Sequence, residues 1–317
     1  MSFSVVIPSY NGKTLLNENL PPILAILKDR GENEEILVVD DGSTDGSTDF
    51  LRREFPEVIV LPLDKNQGFA QACNAGFQAA RGEIIILLNN DVLVVSKFLD
   101  RLNEHFRDDK VFAVAFCMID RKTNTVISTP TVAKMRYGLI VAKSSPMDNT
   151  SGPSITFLAH GGGAAFRKNL FVELNGFDPL FSPFYYEDID LSYRAWGAGF
   201  RVLYDPECVV WHSPMSTIGK KYNKKQIETI HRKNKILFFW KNISQPRLII
   251  VHLLSIPLTL VCALLLGRLS IFKSYYLALK QFPQVIKRRK SRGVKIYHDC
   301  EILKMIRTDI KDTGYVS

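Results

Sequence analysis

Cysteine is scarce in this chain. Cys73, Cys117, Cys208, Cys262 and Cys300 are the only five in 317 residues, odd in number and far apart, with no Cys-x-x-Cys pair and no histidine at zinc spacing beside them. That excludes a disulfide-stapled module and a structural zinc knuckle, and fits reduced, mostly buried thiols in a cytosolic protein. Internal repeats and low-complexity tracts are also missing, so neither a solenoid nor a disordered tail describes it. Residues 1–8 lack a basic n-region and a small-residue cleavage site, and no secretion signal is expected. What is present is 46% hydrophobic residues, enough for a full core in one large domain with an appendage.

Acidic residues are short in one place. Only 5 of the 32 Asp+Glu follow Ser213, against 21 Lys+Arg, whereas residues 1–213 hold 27 acids and 20 bases. The formal charge of +9 therefore divides into −7 before that point and +16 after it. A segregated basic segment seeks anions, and anionic lipid and nucleic acid are its usual partners.

Short β-branched runs at 4–8, 35–40, 58–62 and 83–88 alternate with helix-like stretches at 14–30, 47–55 and 68–81, the sign of a parallel sheet built from βαβ units. Pro21-Pro22 offers an entry turn or kink in the first helix. Continuous apolar runs at 36–39 and 84–88 suit strands covered on both faces. A helix near 96–106 and a strand near 111–118 follow, and the polar, turn-rich stretch 120–154 reads as a loop. Residues 187–199 have helical periodicity with Leu191 and Trp196 facing inward. Beyond 220 the pattern changes to long helices, 226–242 and 247–267, giving two units: an α/β domain over 1–213 and a basic, apolar helical region over 214–317.

Three clusters of acids are candidates for chemistry. In open α/β sheets ligands bind outside the carboxyl ends of the strands. Asp40-Asp41-Gly42-Ser43 and Asn89-Asn90-Asp91 both stand there, although either alone is also what a turn or a helix cap requires. The third, Glu187-Asp188-Ile189-Asp190, opens a helix, where acids complement the macrodipole; three in four residues exceed that need. His212 ends the apolar run 209–211, a setting in which a single histidine is usually a packing residue.

Taken in order, Val5-Val6-Ile7-Pro8-Ser9-Tyr10-Asn11-Gly12, Val38-Val39-Asp40-Asp41-Gly42-Ser43, Asn66-Gln67-Gly68-Phe69-Ala70 with Asn74 and Gly76, Leu88-Asn89-Asn90-Asp91, and Glu187-Asp188-Ile189-Asp190-Leu191 with Arg194, Gly199, Tyr204, Pro206 and His212 resemble the family 2 glycosyltransferases. The resemblance covers roughly residues 3–213 and extends to a bacterial cell-surface polysaccharide and rhamnosyltransferase-like group. It implies a GT-A fold, a mostly parallel central sheet flanked by helices. It also implies an inverting, metal-dependent transfer from a UDP-, dTDP- or GDP-linked sugar to a saccharide acceptor, lipid-linked, in cell-surface polysaccharide synthesis.

By the same resemblance Pro8, Tyr10, Asn11, Asp40, Asp41, Gly68, Asn89 and Asn90 hold the donor nucleotide. Asp91 and His212 hold Mn2+ or Mg2+, the imidazole tilting the choice towards Mn2+. Asp188 is the general base, Glu187 orients it or binds acceptor hydroxyls, Asp190 is structural, and Gly162, Gly163 and Ala164 line the acceptor side. Asn89-Asn90-Asp91 replaces the double-acid form of the family's metal motif and leaves it one carboxylate. The Gln-x-x-Arg-Trp motif of processive synthases is missing around Arg194-Ala195-Trp196, so addition of one or a few sugars is expected. The rival within enzymes is a polyprenyl-phosphate sugar synthase. A non-catalytic binder of anionic surfaces or nucleic acid would leave Asp40, Asp41, Asp91 and Asp188 unexplained, and no nucleic-acid partner is expected. A sugar-nucleotide pyrophosphorylase would need a Gly-rich, basic N-terminal loop that this sequence lacks.

Residues 248–266 form a 19-residue apolar run interrupted only by His252, Ser255, Thr259 and Cys262, close to the ~20 residues that cross a bilayer. Basic residues flank it on both sides, Lys220, Lys221, Lys224, Lys225, Arg232, Lys233, Lys235, Lys241 and Arg247 before it and Arg268, Lys273, Lys280 and the 287–295 cluster after it. A single crossing would place one basic flank outside. Pro257 at its middle favours a bent or shallowly inserted helix pair. The expectation is a peripheral or monotopic region on anionic lipid at the cytoplasmic face of the membrane. The plainer alternative is a helix buried against the catalytic domain or in a homo-oligomer interface.

Overall fold

The computed structural model describes residues 1–28, 34–94, 99–145, 152–213, 222–291, 293 and 295–312, with side chains as far as 306. Its β-strands are β1 (Phe3–Ser9), β2 (Glu35–Asp40), β3 (Ile59–Pro62), β4 (Ile84–Leu88), β5 (Val92–Val94), β6 (Val111–Asp120), β7 (Thr131–Arg136), β8 (Leu139–Ser144), β9 (Ser154–Ile155), β10 (Gly163–Arg167) and β11 (Arg201–His212). Between and after them lie α1 (Lys13–Lys28), α2 (Ser47–Glu54), α3 (Phe69–Ala79), α4 (Leu99–His105), α5 (Lys168–Glu173), α6 (Glu187–Gly197), α7 (Lys224–Asn242), α8 (Pro246–Leu265), α9 (Ser270–Lys280), α10 (Phe282–Lys290) and α11 (Asp299–Asp312).

Nine strands form one sheet in the order β3-β2-β1-β4-β10-β6-β11-β5, with β9 on β11. The first four are mutually parallel, as their βαβ connections require, and β2 and β4 are buried along their whole length, as their unbroken apolar runs demand. Strands β10, β9 and β5 run antiparallel to their neighbours. Those reversals place the turn before β10 beside the carboxyl end of β4, and β5 beside the end of β11.

Three sequence expectations are corrected. Residues 120–154 are not all loop: β7 and β8 pair as a hairpin from Thr131↔Ser144 to Arg136↔Leu139. Its two turn residues, Tyr137 and Gly138, both have positive φ (49° and 72°), as a two-residue hairpin turn prefers; a tyrosine at the first position hid the signal. Pro21 and Pro22 lie inside α1 without ending it, and α8 runs through Pro257 as one helix and not a pair. The third correction concerns the alternative that 248–266 is buried against the catalytic domain. Only 11% of α8's most apolar stretch is covered, and the helix lies on the outside of the molecule. The expected helix start at 96–98 and the basic residues Lys220 and Lys221 fall outside the described residues.

The shift in composition at 213 is not a break in packing. Ile236, Leu237, Phe238 and Phe239 of α7, Ile271 of α9, Val285 of α10 and Ile302 of α11 belong to the same hydrophobic core as the sheet. Part of the basic tail is spent inside this core boundary. Lys241 and Arg288 pair with Asp178, and Lys295 pairs with Asp299. Among the described cysteines, Cys73, Cys117 and Cys208 are buried thiols and Cys262 and Cys300 are exposed.

Candidate active site

The strand order sets a crevice at the carboxyl ends of β1, β2 and β4, where the direction of winding changes. Pro8 and Ser9 close β1 opposite Val39 and Asp40. Just beyond, Asn11 takes a positive φ of 52°, and its amide donates to Ser43 Oγ (2.8 Å) while its Oδ1 accepts from the Thr44 amide (2.8 Å). The two loops at the strand ends are thereby one unit. Asp40 accepts from the Ser43 amide (3.0 Å) and from Thr48 Oγ1, so its carboxylate shapes the turn that follows it.

Asp41 reaches across to the third loop. Its two oxygens accept from the Gln67 amide (2.7 Å) and the Gly68 amide (2.9 Å). Gly68 has φ +90°, a conformation that strains an L side chain, and the place a Cβ would take lies 3.9 Å from the Pro183 carbonyl. The donor-side loop therefore passes near the segment that leads into α6. Asn74, one turn further along α3, exchanges two hydrogen bonds with the Phe177 backbone (2.8 and 2.9 Å) and ties α3 to that same segment.

At the end of β4, Asn90 Nδ2 donates to Ser9 Oγ (3.0 Å), which joins it to β1. The Asn89 amide donates to the Gly162 carbonyl (3.1 Å), because the turn before antiparallel β10 begins where β4 stops. One residue earlier in that turn, the Gly161 amide points at Asp188 Oδ2 (3.4 Å). Thus Asn89 and Asp188, far apart in sequence, stand on either side of one turn. Gly163 begins β10, and Ala164 is fully buried between Leu87 and Ala115, so backbone of Gly161 and Gly162 is what this turn offers the crevice.

Asp91 and His212 meet because β5 runs antiparallel to β11 with Val92 opposite His212. Asp91 Oδ2 lies 3.4 Å from His212 Nε2. Burial pushes the Asp91 carboxyl above the usual range, and His212 opposes that only in part. Asp91 Oδ1 and His212 Nδ1 are both buried with no hydrogen-bond partner. The Asp91 carboxylate and the His212 imidazole are both ligand types that a divalent cation accepts, and each keeps one buried polar atom unsatisfied. Among the described residues no third Asp, Glu, His or Cys joins them, so phosphate oxygens and water would complete such a site.

Helix α6 carries the remaining acids. It is entered through Tyr185 and Tyr186, consecutive residues at φ 69° and 82°, a conformation costing roughly 1–3 kcal/mol for each non-glycine residue. Glu187 is buried, and desolvation with the neighbouring Asp188 charge pushes its pKa up to about 8. At neutral pH Glu187 therefore keeps its proton. His160 is kept neutral by burial, against the pull of Asp188. His231 of α7 lies edge-on to the rings of Tyr185 and Tyr186, 5.6 and 5.3 Å away, and burial lowers its pKa to about 4. Asp190 points away from the crevice to Arg194, Lys241 and Asn242, each at 2.8 Å, in line with a structural role.

A cavity of ≈ 320 Å³ lies at the opposite end of α6 from Asp188, lined by Tyr193, Arg194, Gly197, Lys241, Arg288 and Lys295 among others. It is a seam between α6 and the tail and contains none of the acids expected to do chemistry. Sequence reasoning missed Asn234, which is buried and binds the loop before α6. A signal existed: an asparagine just before the apolar run 236–239, on the face that helical spacing turns inward.

The model of the family described as glycosyl transferase family 2 matches residues 4–174. The poly-beta-1,6-N-acetyl-D-glucosamine synthase of Staphylococcus aureus (strain COL) is 24% identical over 213 residues, 66% of this chain and 49% of that protein. An undecaprenyl-phosphate 4-deoxy-4-formamido-L-arabinose transferase of Aeromonas hydrophila is 35% identical over 105 residues, 32% of each chain. The chain thus spans about half the length of the former and a third of the latter. Among solved structures, the mannosyltransferase PcManGT from Pyrobaculum calidifontis, in complex with GDP-Man and Mn2+, superimposes with a TM-score of 0.54 at 18% identity, covering 89% of this chain and 75% of that one. That likeness establishes the GT-A fold. The family match spans more than half of the chain and takes in the β1, β2 and β4 loops of the crevice, and the chain belongs to glycosyl transferase family 2.

Proposed function

We propose that the chain is an inverting glycosyltransferase that moves one or a few sugars from a nucleotide-diphosphate donor to a saccharide hydroxyl. The observation that carries this reading is the turn at 160–163, which joins Asp188 on one side to Asn89-Asn90-Asp91 on the other. A proton acceptor and a diphosphate-binding loop thus face each other across a span of backbone, which is the arrangement a direct displacement needs. The acceptor oxygen attacks the anomeric carbon, the bond to the diphosphate breaks with its electron pair, and the acceptor proton passes to Asp188. Glu187, protonated at neutral pH, donates a hydrogen bond towards an acceptor hydroxyl. A divalent cation held by Asp91 and His212 would supply Lewis-acid stabilisation of the departing diphosphate. The loops joined by Asn11 and Asp41 cradle the nucleotide, with Tyr10 at the mouth of the crevice.

The acceptor is proposed to be lipid-linked and the chain to rest on the membrane surface. Helix α8 has a mean hydropathy of 2.6, and Leu254, Leu258 and Leu265 are 72%, 68% and 80% exposed. Leu269, Phe272, Tyr276 and Leu279 of the α9 segment and Phe282 and Ile286 of α10 are exposed as well, as are Lys273, Lys287 and Lys290. An apolar shelf across three helices suits lying in the interface more than crossing it. A panel of UDP-, dTDP- and GDP-sugars with and without Mn2+, read by thermal shift, tests the donor site. Stabilisation by one nucleotide only with Mn2+ is expected, and indifference to all of them removes the reading.

The likeness to the Aeromonas undecaprenyl-phosphate sugar transferase favours a second reading, a polyprenyl-phosphate sugar synthase. A lipid phosphate needs no deprotonation, so in that case the Asp188→Asn variant would still release nucleotide with polyprenyl phosphate as acceptor.

A further inference from the structure

The loop that leads into α6 owes its shape to a helix outside the matched family region. Asn234 of α7 is fully buried, and its Nδ2 donates to the carbonyls of Phe181, Phe184 (2.9 Å) and Tyr185 (2.9 Å). Next to it, Lys233 Nζ donates to the Ser182 carbonyl (2.9 Å). Two side chains on one helical turn therefore reach four carbonyls of residues 181–185, the two N–H bonds of Asn234 being shared among three of them, in a segment with no ladder of its own. The loop ends in Tyr185 and Tyr186, whose positive φ values set the direction in which α6 starts, and the Tyr186 carbonyl accepts the Asp190 amide (2.9 Å), the first turn of that helix.

Downstream, the same α7 grips α6 again. Lys241 Nζ and Asn242 Nδ2 each lie 2.8 Å from the Asp190 carboxylate. Glu187 and Asp188 lie between these two anchors. Among the described residues, Asp188 accepts hydrogen bonds from the Gly161 amide and from the Ile189 amide in the first turn of its own helix. Its direction is therefore inherited from the backbone on either side, and that backbone is fixed by α7.

We propose that Asn234 is a positioning residue for glycosyl transfer, holding the 181–185 carbonyls so that α6 presents Asp188 and Glu187 to the acceptor. It touches neither donor nor acceptor. It acts through the backbone of Tyr185 and Tyr186, with Lys233 as its lesser partner. The inference rests on Asp188 being the base.

The test uses the full chain with the donor selected by the nucleotide-sugar panel, following release of nucleoside diphosphate to a saccharide acceptor or to water. Asn234→Leu keeps the volume and removes the donors. A 10- to 100-fold fall in kcat is expected, with donor KM within twofold, because the donor loops are built by β1, β2 and β4 and not by α7. The pH inflection contributed by Glu187 should also move to lower pH, since a loosened loop admits water to a carboxyl that burial holds near 8. A purely structural role would lower the unfolding temperature without moving that inflection or splitting kcat from KM. Wild-type kcat, or a fall in kcat with the inflection unmoved, overturns the proposal. If Asn234→Leu shows no donor-induced thermal shift and so does not fold, Lys233→Met decides: a threefold or larger fall in kcat supports the proposal and wild-type kcat overturns it. Asp188→Asn is run beside them. Normal turnover in that variant sinks the base assignment, whereas normal turnover in Asn234→Leu with a dead Asp188→Asn sinks this inference alone.

Discussion

Lys241 Nζ of α7 lies 2.8 Å from Asp190 Oδ2 of α6, two residues beyond Asp188, and both side chains are buried. Removing one partner of a buried ion pair leaves an uncompensated charge and costs about 3–5 kcal/mol. Lys241 also pairs with Asp178 at 2.7 Å, so Lys241→Met takes one cation from each of two buried carboxylates, which keep Arg194 on Asp190 and Arg288 on Asp178. Because an arginine remains on each carboxylate, the urea midpoint of Lys241→Met is expected to fall by an amount equivalent to about 1.5–3 kcal/mol. An unchanged midpoint would mean the tail does not brace α6. A chain ended near residue 241 is a poor test of membrane binding, since it removes Arg288 and Asp299 and takes them from their partners Asp178 and Tyr193.

Asp188→Asn keeps the shape of the side chain and removes the proton acceptor. General-base catalysis contributes about 10²- to 10⁴-fold, so a loss of that size in kcat is expected, with donor affinity preserved. Isothermal titration of the donor beside a turnover assay checks both halves. Loss of donor binding together with turnover would move Asp188 out of the base role and into donor binding.

The four parallel strands and the helices between them were legible because continuous β-branched runs and strand-end Asp-Asp-Gly-Ser and Asn-Asn-Asp segments are local signals. The approach of Asp91 to His212 was foreseeable only from the family resemblance, since it depends on β5 running antiparallel to β11, a long-range pairing with no local mark. The β7–β8 hairpin was hidden because Tyr137 stands where glycine or asparagine is expected. Charge counting misjudged the tail for another reason: a lysine such as Lys241 reads the same in sequence whether it meets lipid phosphate or a buried aspartate.

If Asp91 and His212 hold a cation, each alone should matter more with the donor bound than without it. Asp91→Asn and His212→Ala are expected to abolish the Mn2+-dependent part of donor-induced stabilisation while leaving the unfolding temperature of the free chain within a few degrees. Wild-type Mn2+ dependence in either variant would remove that residue from the site. Chelation of the wild-type chain should reproduce the variants' behaviour.

Glu187 gives a pH signature in stability as well as in rate. Its carboxyl keeps its proton to about pH 8 in the folded chain and loses it near the ordinary 4.5 when unfolded. The folded state therefore holds the extra proton between those values, and the stability it gives is present in full below 4.5 and lost as pH rises towards 8. Glu187→Gln removes that dependence. Relative to wild type it should gain more than about 1.4 kcal/mol, the equivalent of one pKa unit, between pH 5 and pH 9. Urea midpoints at pH 5, 7 and 9 measure this, and a difference independent of pH would show that Glu187 is ionised in the folded chain.

The apolar shelf can be tested without touching the core. Leu254, Leu258 and Leu265 are largely exposed, so charged substitutions there should shift folding stability by no more than about 0.5 kcal/mol. Each leucine that enters a bilayer interface contributes roughly 1.5–3 kcal/mol, and a carboxylate in its place is also repelled by anionic headgroups. The double variant Leu254→Glu, Leu258→Glu should therefore bind vesicles of mixed neutral and anionic lipid at least 100-fold more weakly, while turnover on a soluble saccharide acceptor stays at the wild-type level. Raising salt should weaken the wild type by only part of that amount, because Arg247, Lys273, Lys287 and Lys290 are exposed and screened whereas the leucines are not. Vesicle binding that is abolished by salt and indifferent to the two glutamates would assign the attachment to basic residues alone and leave α8 as a surface for a protein partner.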